Sequence, residues 1–120
     1  MRLDKLVKAT VDALGEIKAR DIVVLDVRRM TALFDKVIVA SGDSTRQNRA
    51  LANNVQEKLK ALGATVYGVE GGDPGEWVLV DLGAVVVHIM QPAIRQHYNL
   101  EELWGGEAKA PKRRMAGGAR

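Results

Sequence analysis

A chain of 120 residues with a net charge of +3 is long enough to bury one core and too short to need a second domain. Having no cysteine, it has no disulfide, thiolate metal site or thiol catalyst. No apolar stretch reaches the roughly 20 residues needed to cross a bilayer, and Met1-Arg-Leu-Asp-Lys5 lacks an apolar signal core, so a cytoplasmic location with no membrane partner is expected.

The charge is unevenly placed. Lys109, Lys112, Arg113, Arg114 and Arg120 against Glu107 give the terminus +4, which leaves the body at −1. The Gly-, Ala- and Lys/Arg-rich composition after Trp104 predicts a domain over 1–104 and a disordered basic tail over 105–120. Such a tail has two readings, a solubilising terminus and weak phosphate contact. Only the second makes binding strongly salt-dependent.

In chain order, Leu3, Leu6, Val7, Val11, Leu14 and Ile17 recur at steps of three and four and predict an amphipathic helix ending near Ala19. Asp21 to Val27 is a continuous β-branched run that reads as a strand covered on both sides. After a connection from Arg28 to Leu33, Asp35 to Gly42 reads as a second buried strand. Ser44 and Gln47 have capping-box spacing for the next helix, whose apolar stripe is Leu51, Val55, Leu59 and Leu62 and whose stop is Gly63. Ala64 to Val69 reads as a short strand and Glu70 to Gly75 as a loop of turn formers.

Two aliphatic runs then meet at Gly83-Ala84, the pattern of a two-residue hairpin with a type II′ turn. The turn fixes a register in which Asp81 faces Val86, Leu79 faces His88 and Trp77 faces Met90. Side chains alternate across a strand, so Val78, Val80, Leu82, Val85, Val87 and Ile89 share one purely aliphatic face. The opposite face carries Trp77, Leu79, Asp81, Val86, His88 and Met90, a mixture suited to a binding surface rather than a dry core. Pro92 starts a short helix to Tyr98, and Asn99 with Glu102 predicts a cap for a last turn bearing Leu100, Leu103 and Trp104. Strands joined by a helix should run parallel and the hairpin antiparallel, giving an α/β fold with a mixed sheet of about five strands flanked by helices.

Catalysis finds little support. Ser41-Gly-Asp-Ser44, at a strand-to-helix junction, is where backbone amides could hold phosphate, but it is equally a common helix cap. No Asp-x-Asp pair follows to hold the metals of a nucleotidyl transfer. His88 and His97 lack metal-ligand spacing, and His88 with Asp81 on one face has no nucleophile beside it. A non-enzyme without metal or cofactor is expected. Trp, Tyr, Met and Arg are enriched at protein interfaces, and they gather between Trp77 and Trp104. A sheet that read RNA would need several exposed aromatics or a basic groove, and neither is apparent.

Asp35 to Gly42, Ser44-x-Arg46-Gln47 with Ala50, Gly68-Val-Glu-Gly71, Glu76-Trp77-Val-Leu-Val-Asp81-Leu-Gly83, Val85-Val-Val-His88-x-Met90 and Arg95-x-x-Tyr98-x-Leu100-Glu101-x-Leu103-Trp104 together resemble the ribosomal silencing factor (Iojap-related) family, from about Leu6 to Trp104. Lys36, where members commonly carry an aromatic or aliphatic residue, and Ala84, in place of a turn Asp or Asn, depart from the pattern. The resemblance implies a sheet similar to that of nucleotidyltransferases without their catalytic acids. It further implies a cytoplasmic repressor of translation that binds the large ribosomal subunit through its protein fourteen, blocks an intersubunit bridge and damps translation when nutrients are scarce. The contacts so implied centre on Trp77, Met90, Tyr98 and Leu100, with Asp81, Arg95 and Glu101 as polar partners. Alternatives are a large-subunit assembly factor using the same surface and, from another class, a nucleotidyltransferase-like enzyme using the Ser41 to Ser44 turn. When no ribosome is available, the exposed hairpin face offers a surface for a homodimer.

Overall fold

The computed structural model describes residues 1–105, so the tail expected beyond them lies outside the described residues. Four helices and five strands follow in the order α1 (Leu3–Glu16), β1 (Arg20–Asp26), β2 (Lys36–Ser41), α2 (Thr45–Ala61), β3 (Gly68–Glu70), β4 (Trp77–Asp81), β5 (Val85–Met90), α3 (Pro92–Tyr98) and α4 (Leu100–Gly105). The strands form one mixed sheet in the order β1-β2-β5-β4-β3. Among the described residues β2 pairs with β5 in parallel, and the other three strand pairs are antiparallel.

The hairpin register is the expected one, with Trp77 opposite Met90, Leu79 opposite His88 and Asp81 opposite Val86. Gly83 has φ +85° while Ala84 keeps a negative φ, the type II′ pattern, and the Leu82 N–H donates to the Val85 carbonyl at 2.9 Å. Every residue of the aliphatic hairpin face is buried. Together with Ile38 and Ala40 of β2 it packs under α1 and α2, whose inward stripes are Leu6, Ala9, Ala13 and Leu14, and Leu51, Ala52, Val55 and Leu59. This main core contains no aromatic side chain. Each fully buried Val, Leu or Ile in it contributes about 1.5–3 kcal/mol.

Both ends of α2 are closed as the sequence suggests. Ser44 Oγ accepts from the Gln47 N–H at 3.0 Å, and Gln47 Oε1 accepts from the Asp43 N–H at 2.7 Å. The same Gln47 amide donates to the Ile17 carbonyl at 3.0 Å, which ties the end of α1 to the start of α2. Gly63, at φ +91°, completes a Schellman motif in which the Ala64 N–H reaches the Leu59 carbonyl at 2.9 Å.

Four local expectations are corrected. β1 is an edge strand rather than one covered on both sides: Val24 is 40% exposed, and a bulge with Asp21 at φ +52° interrupts its pairing with β2. The third strand is only Gly68–Glu70, because Ala64 and Val66 turn toward the core after the Schellman motif instead of pairing along β4. α1 stops at Glu16, and Ile17 and Ala19 pack against the core from outside the helix. Asn99 does not cap α4 with its side chain; it takes a left-handed conformation (φ 48°, ψ 59°), and its carbonyl accepts from the N–H groups of Glu102 and Leu103. That residue sets the angle between α3 and α4. Lys36, the departure from the family pattern, forms an ion pair with Asp26 at 3.4 Å across the β1–β2 edge.

Candidate docking face

The second face of the sheet is unequally covered. Over β1 and β2, α3 and α4 close a small core of Val27, Val37, Val39, Met90 and Leu100, flanked by Leu25, Phe34, Trp77, Ile94 and Trp104. Beyond that roof, over Leu79 of β4 and Val86 and His88 of β5, a concavity of about 610 Å3 opens. Its floor is Leu79, Val86 and His88, its acidic lining Glu70 and Asp81, and its aromatic wall Phe34, Tyr67 and Trp104. All five aromatic residues of the chain, Phe34, Tyr67, Trp77, Tyr98 and Trp104, thus sit on or beside this one face.

Trp77 is held in place from two sides. Its indole Nε1–H donates to His88 Nδ1 at 2.9 Å, and its ring packs against Tyr98 with centroids 4.9 Å apart. Gly71, at φ +80°, lets the loop before β4 approach closely enough that a Cβ there would lie 2.2 Å from the Trp77 carbonyl oxygen. His88 is 9% exposed, and burial pushes its pKa down to about 4, so it is neutral near pH 7. With Nδ1 accepting, the remaining proton is assigned to Nε2. His97 stands edge-on to Tyr98 at 4.8 Å, and Tyr98 itself is 54% exposed.

The seven residues singled out in the sequence separate into two groups. Trp77, Asp81 and Tyr98 reach the open side: Trp77 and Asp81 are half-buried, Tyr98 is exposed, and the Asp81 carboxylate also accepts from the Gly83 N–H at 2.8 Å. Met90, Leu100 and Arg95 lie beneath the surface, and Glu101 is half-buried beside them. Arg95 donates through Nε and Nη2 to Glu101 Oε2 at 3.1 and 3.0 Å, and through Nη1 to Ser41 Oγ at 3.0 Å. This clamp fastens α3, α4 and the end of β2 together. Leu33, Phe34 and Tyr67 were not singled out, although for the last two the scarcity of aromatics, five in the whole chain, was a usable signal.

The Ser41 to Ser44 turn is occupied by its own neighbours. Ser41 Oγ is taken by Arg95, Ser44 Oγ by the Gln47 backbone N–H, and the Asp43 carboxylate by Arg20 at 2.5 Å. Among the described residues no cluster of three or more His, Asp or Glu could hold a metal, and no helix is long and apolar enough to cross a membrane.

Fold and face together define an α/β protein built on a five-stranded mixed sheet, with its aliphatic core on one side of the sheet and its aromatic side chains on or beside the other. The family model "Ribosomal silencing factor during starvation", RsfS, matches residues 1–118. A ribosomal silencing factor RsfS from Chromobacterium violaceum is 52% identical over 107 residues, 89% of this chain and 88% of that protein. A crystal structure from the same organism superposes with a TM-score of 0.87 at 51% identity, covering 92% of each chain. The mouse protein "Mitochondrial assembly of ribosomal large subunit protein 1" is 35% identical over 97 residues, which are 78% of this chain and 42% of that protein. The chain belongs to the ribosomal silencing factor RsfS family, a family of non-catalytic factors that repress translation.

Proposed function

We propose that this protein represses translation in the cytoplasm by docking its open aromatic face on the large ribosomal subunit, on that subunit's protein fourteen. A body of this size, 38 × 33 × 21 Å, seated at the subunit interface covers an intersubunit bridge and prevents the small subunit from joining when nutrients are scarce. One observation carries the reading: all five aromatic side chains of the chain lie on or beside the sheet face opposite α1 and α2, a face that α3 and α4 roof only in part. In it, Trp77 and Tyr98 are the contacting anchors and Asp81 a polar partner at the rim. Met90, Leu100 and the Arg95–Glu101 clamp support them from below.

Sucrose-gradient profiles of purified subunits test the proposal. Added protein should comigrate with large subunits and reduce the joined-ribosome peak; comigration with small subunits alone, or joining at the level without protein, would refute it. The mouse relative's printed name supports a second reading, in which the same contact guards an immature large subunit. In that case, loss of the protein should leave large-subunit precursors accumulating in growing cells.

A further inference from the structure

We propose that the chain's own basic terminus, residues 106–120, occupies the open concavity as a strap and competes there with the ribosomal partner. The point of departure is favourable: described structure ends at Gly105, one residue beyond Trp104, which forms part of the concavity wall. The charges are complementary. Glu70 and Asp81 are the charged groups that line the concavity, no lysine or arginine lines it, and neither acid forms an ion pair among the described residues. The terminus brings +4 to a body of −1.

The lining also suits cations of this kind, because guanidinium and ammonium groups are attracted to aromatic faces such as those of Tyr67 and Trp104. Reach is no obstacle. A tether of eight residues from Gly105 to Arg113 extends at most about 28 Å. Its short length sets a local concentration on the order of millimolar, so a contact too weak to be seen between separate molecules is populated within one. The competition rests on the docking reading above, whereas occupancy of the concavity does not.

The chain has no cysteine, so Ala110→Cys in the full-length protein gives a single site for a nitroxide label. The label should broaden the resonances of Tyr67, Glu70, Asp81 and Gly83 at about 0.01 M salt and release them at about 1 M, where the screening length falls to about 3 Å. Glu70→Lys should release them at low salt as well. Broadening no greater there than on α1 overturns the proposal. So does broadening that appears when labelled protein is mixed with unlabelled, isotope-enriched protein, since that would place a second copy on the face.

Charge reversal at Lys112, Arg113 and Arg114 then tests competition. A strap that fills half of the molecules hides half of the docking faces, so its removal should tighten large-subunit binding about twofold. Unchanged or weaker binding overturns the competition, the weaker result being that of a terminus that contacts ribosomal RNA. If instead Tyr98→Ala leaves subunit binding intact while the label still broadens the concavity, the docking reading fails and the strap stands.

Discussion

Truncation of Trp77 separates the role of this residue in the fold from the docking role proposed for it. A Trp→Ala change in a sealed core costs about 3–5 kcal/mol, but Trp77 is half-buried, which reduces the packing loss to about 2 kcal/mol. Losing the indole donor removes a hydrogen bond at His88 worth about 1 kcal/mol. The sum, about 3 kcal/mol, is below the 5–15 kcal/mol that holds a domain of this size together. Trp77→Ala should therefore remain folded while melting roughly 10 °C lower. A central aromatic anchor contributes at least about 2 kcal/mol to an interface, so large-subunit binding should weaken roughly 30-fold or more. Tyr98→Ala is the companion variant. Being 54% exposed, Tyr98 can be removed with little loss beyond its pairing with Trp77, about 1 kcal/mol, so its binding defect is not a folding defect. Circular dichroism establishes folding, and cosedimentation with large subunits measures docking. If both variants are folded and both cosediment at wild-type levels, the aromatic face is not the docking face.

Three further outcomes follow from the same geometry. Arg95→Met should cost about 1–3 kcal/mol and speed hydrogen exchange in α4, and adding Glu101→Gln should cost less than its separate effect because the two side chains share one clamp. The His88 pKa is about 4 in the fold against an ordinary 6.5, so the unfolded chain binds the extra proton between these values; stability is fully present above pH 6.5 and falls as pH drops toward 4. The loss attributable to this residue is about 3 kcal/mol, and denaturant titrations at several pH values should show that His88→Gln removes it. Gly71→Ala, whose Cβ would meet backbone at 2.2 Å and whose φ is +80°, should destabilise by about 2–3 kcal/mol, displace Trp77 and weaken docking, as read by melting and cosedimentation.

The hairpin was legible because a Gly-initiated two-residue turn fixes its register, and period-two alternation then assigns every side chain to a face. The helix-covered core was legible for the same reason on α1 and α2. What could not be read was which parts of the second face are roofed. That depends on the direction α4 takes from Asn99, a single left-handed residue whose conformation is set by packing and not by local spacing. Met90 and Leu100 are therefore buried together, and Arg95 meets Glu101 six residues on, a separation that no uninterrupted helix would bring together. The edge position of β1 is not legible, because a β-branched run looks alike on an edge and in the middle of a sheet. Phe34 and Tyr67 lie outside the regular elements, where periodicity assigns no direction.

The bulge at Asp21 bears on how this molecule meets others. An open strand edge with free amides and carbonyls is a template on which a second chain can add, and β1 is such an edge. Its left-handed kink and the charges of Arg20, Asp21 and Asp26 spoil the flat, apolar register that strand addition requires. At the other end of the sheet, β3 is only three residues long. With both backbone edges blunted, backbone pairing that almost any extended segment could supply is disfavoured, and recognition is left to the shape and chemistry of side-chain surfaces.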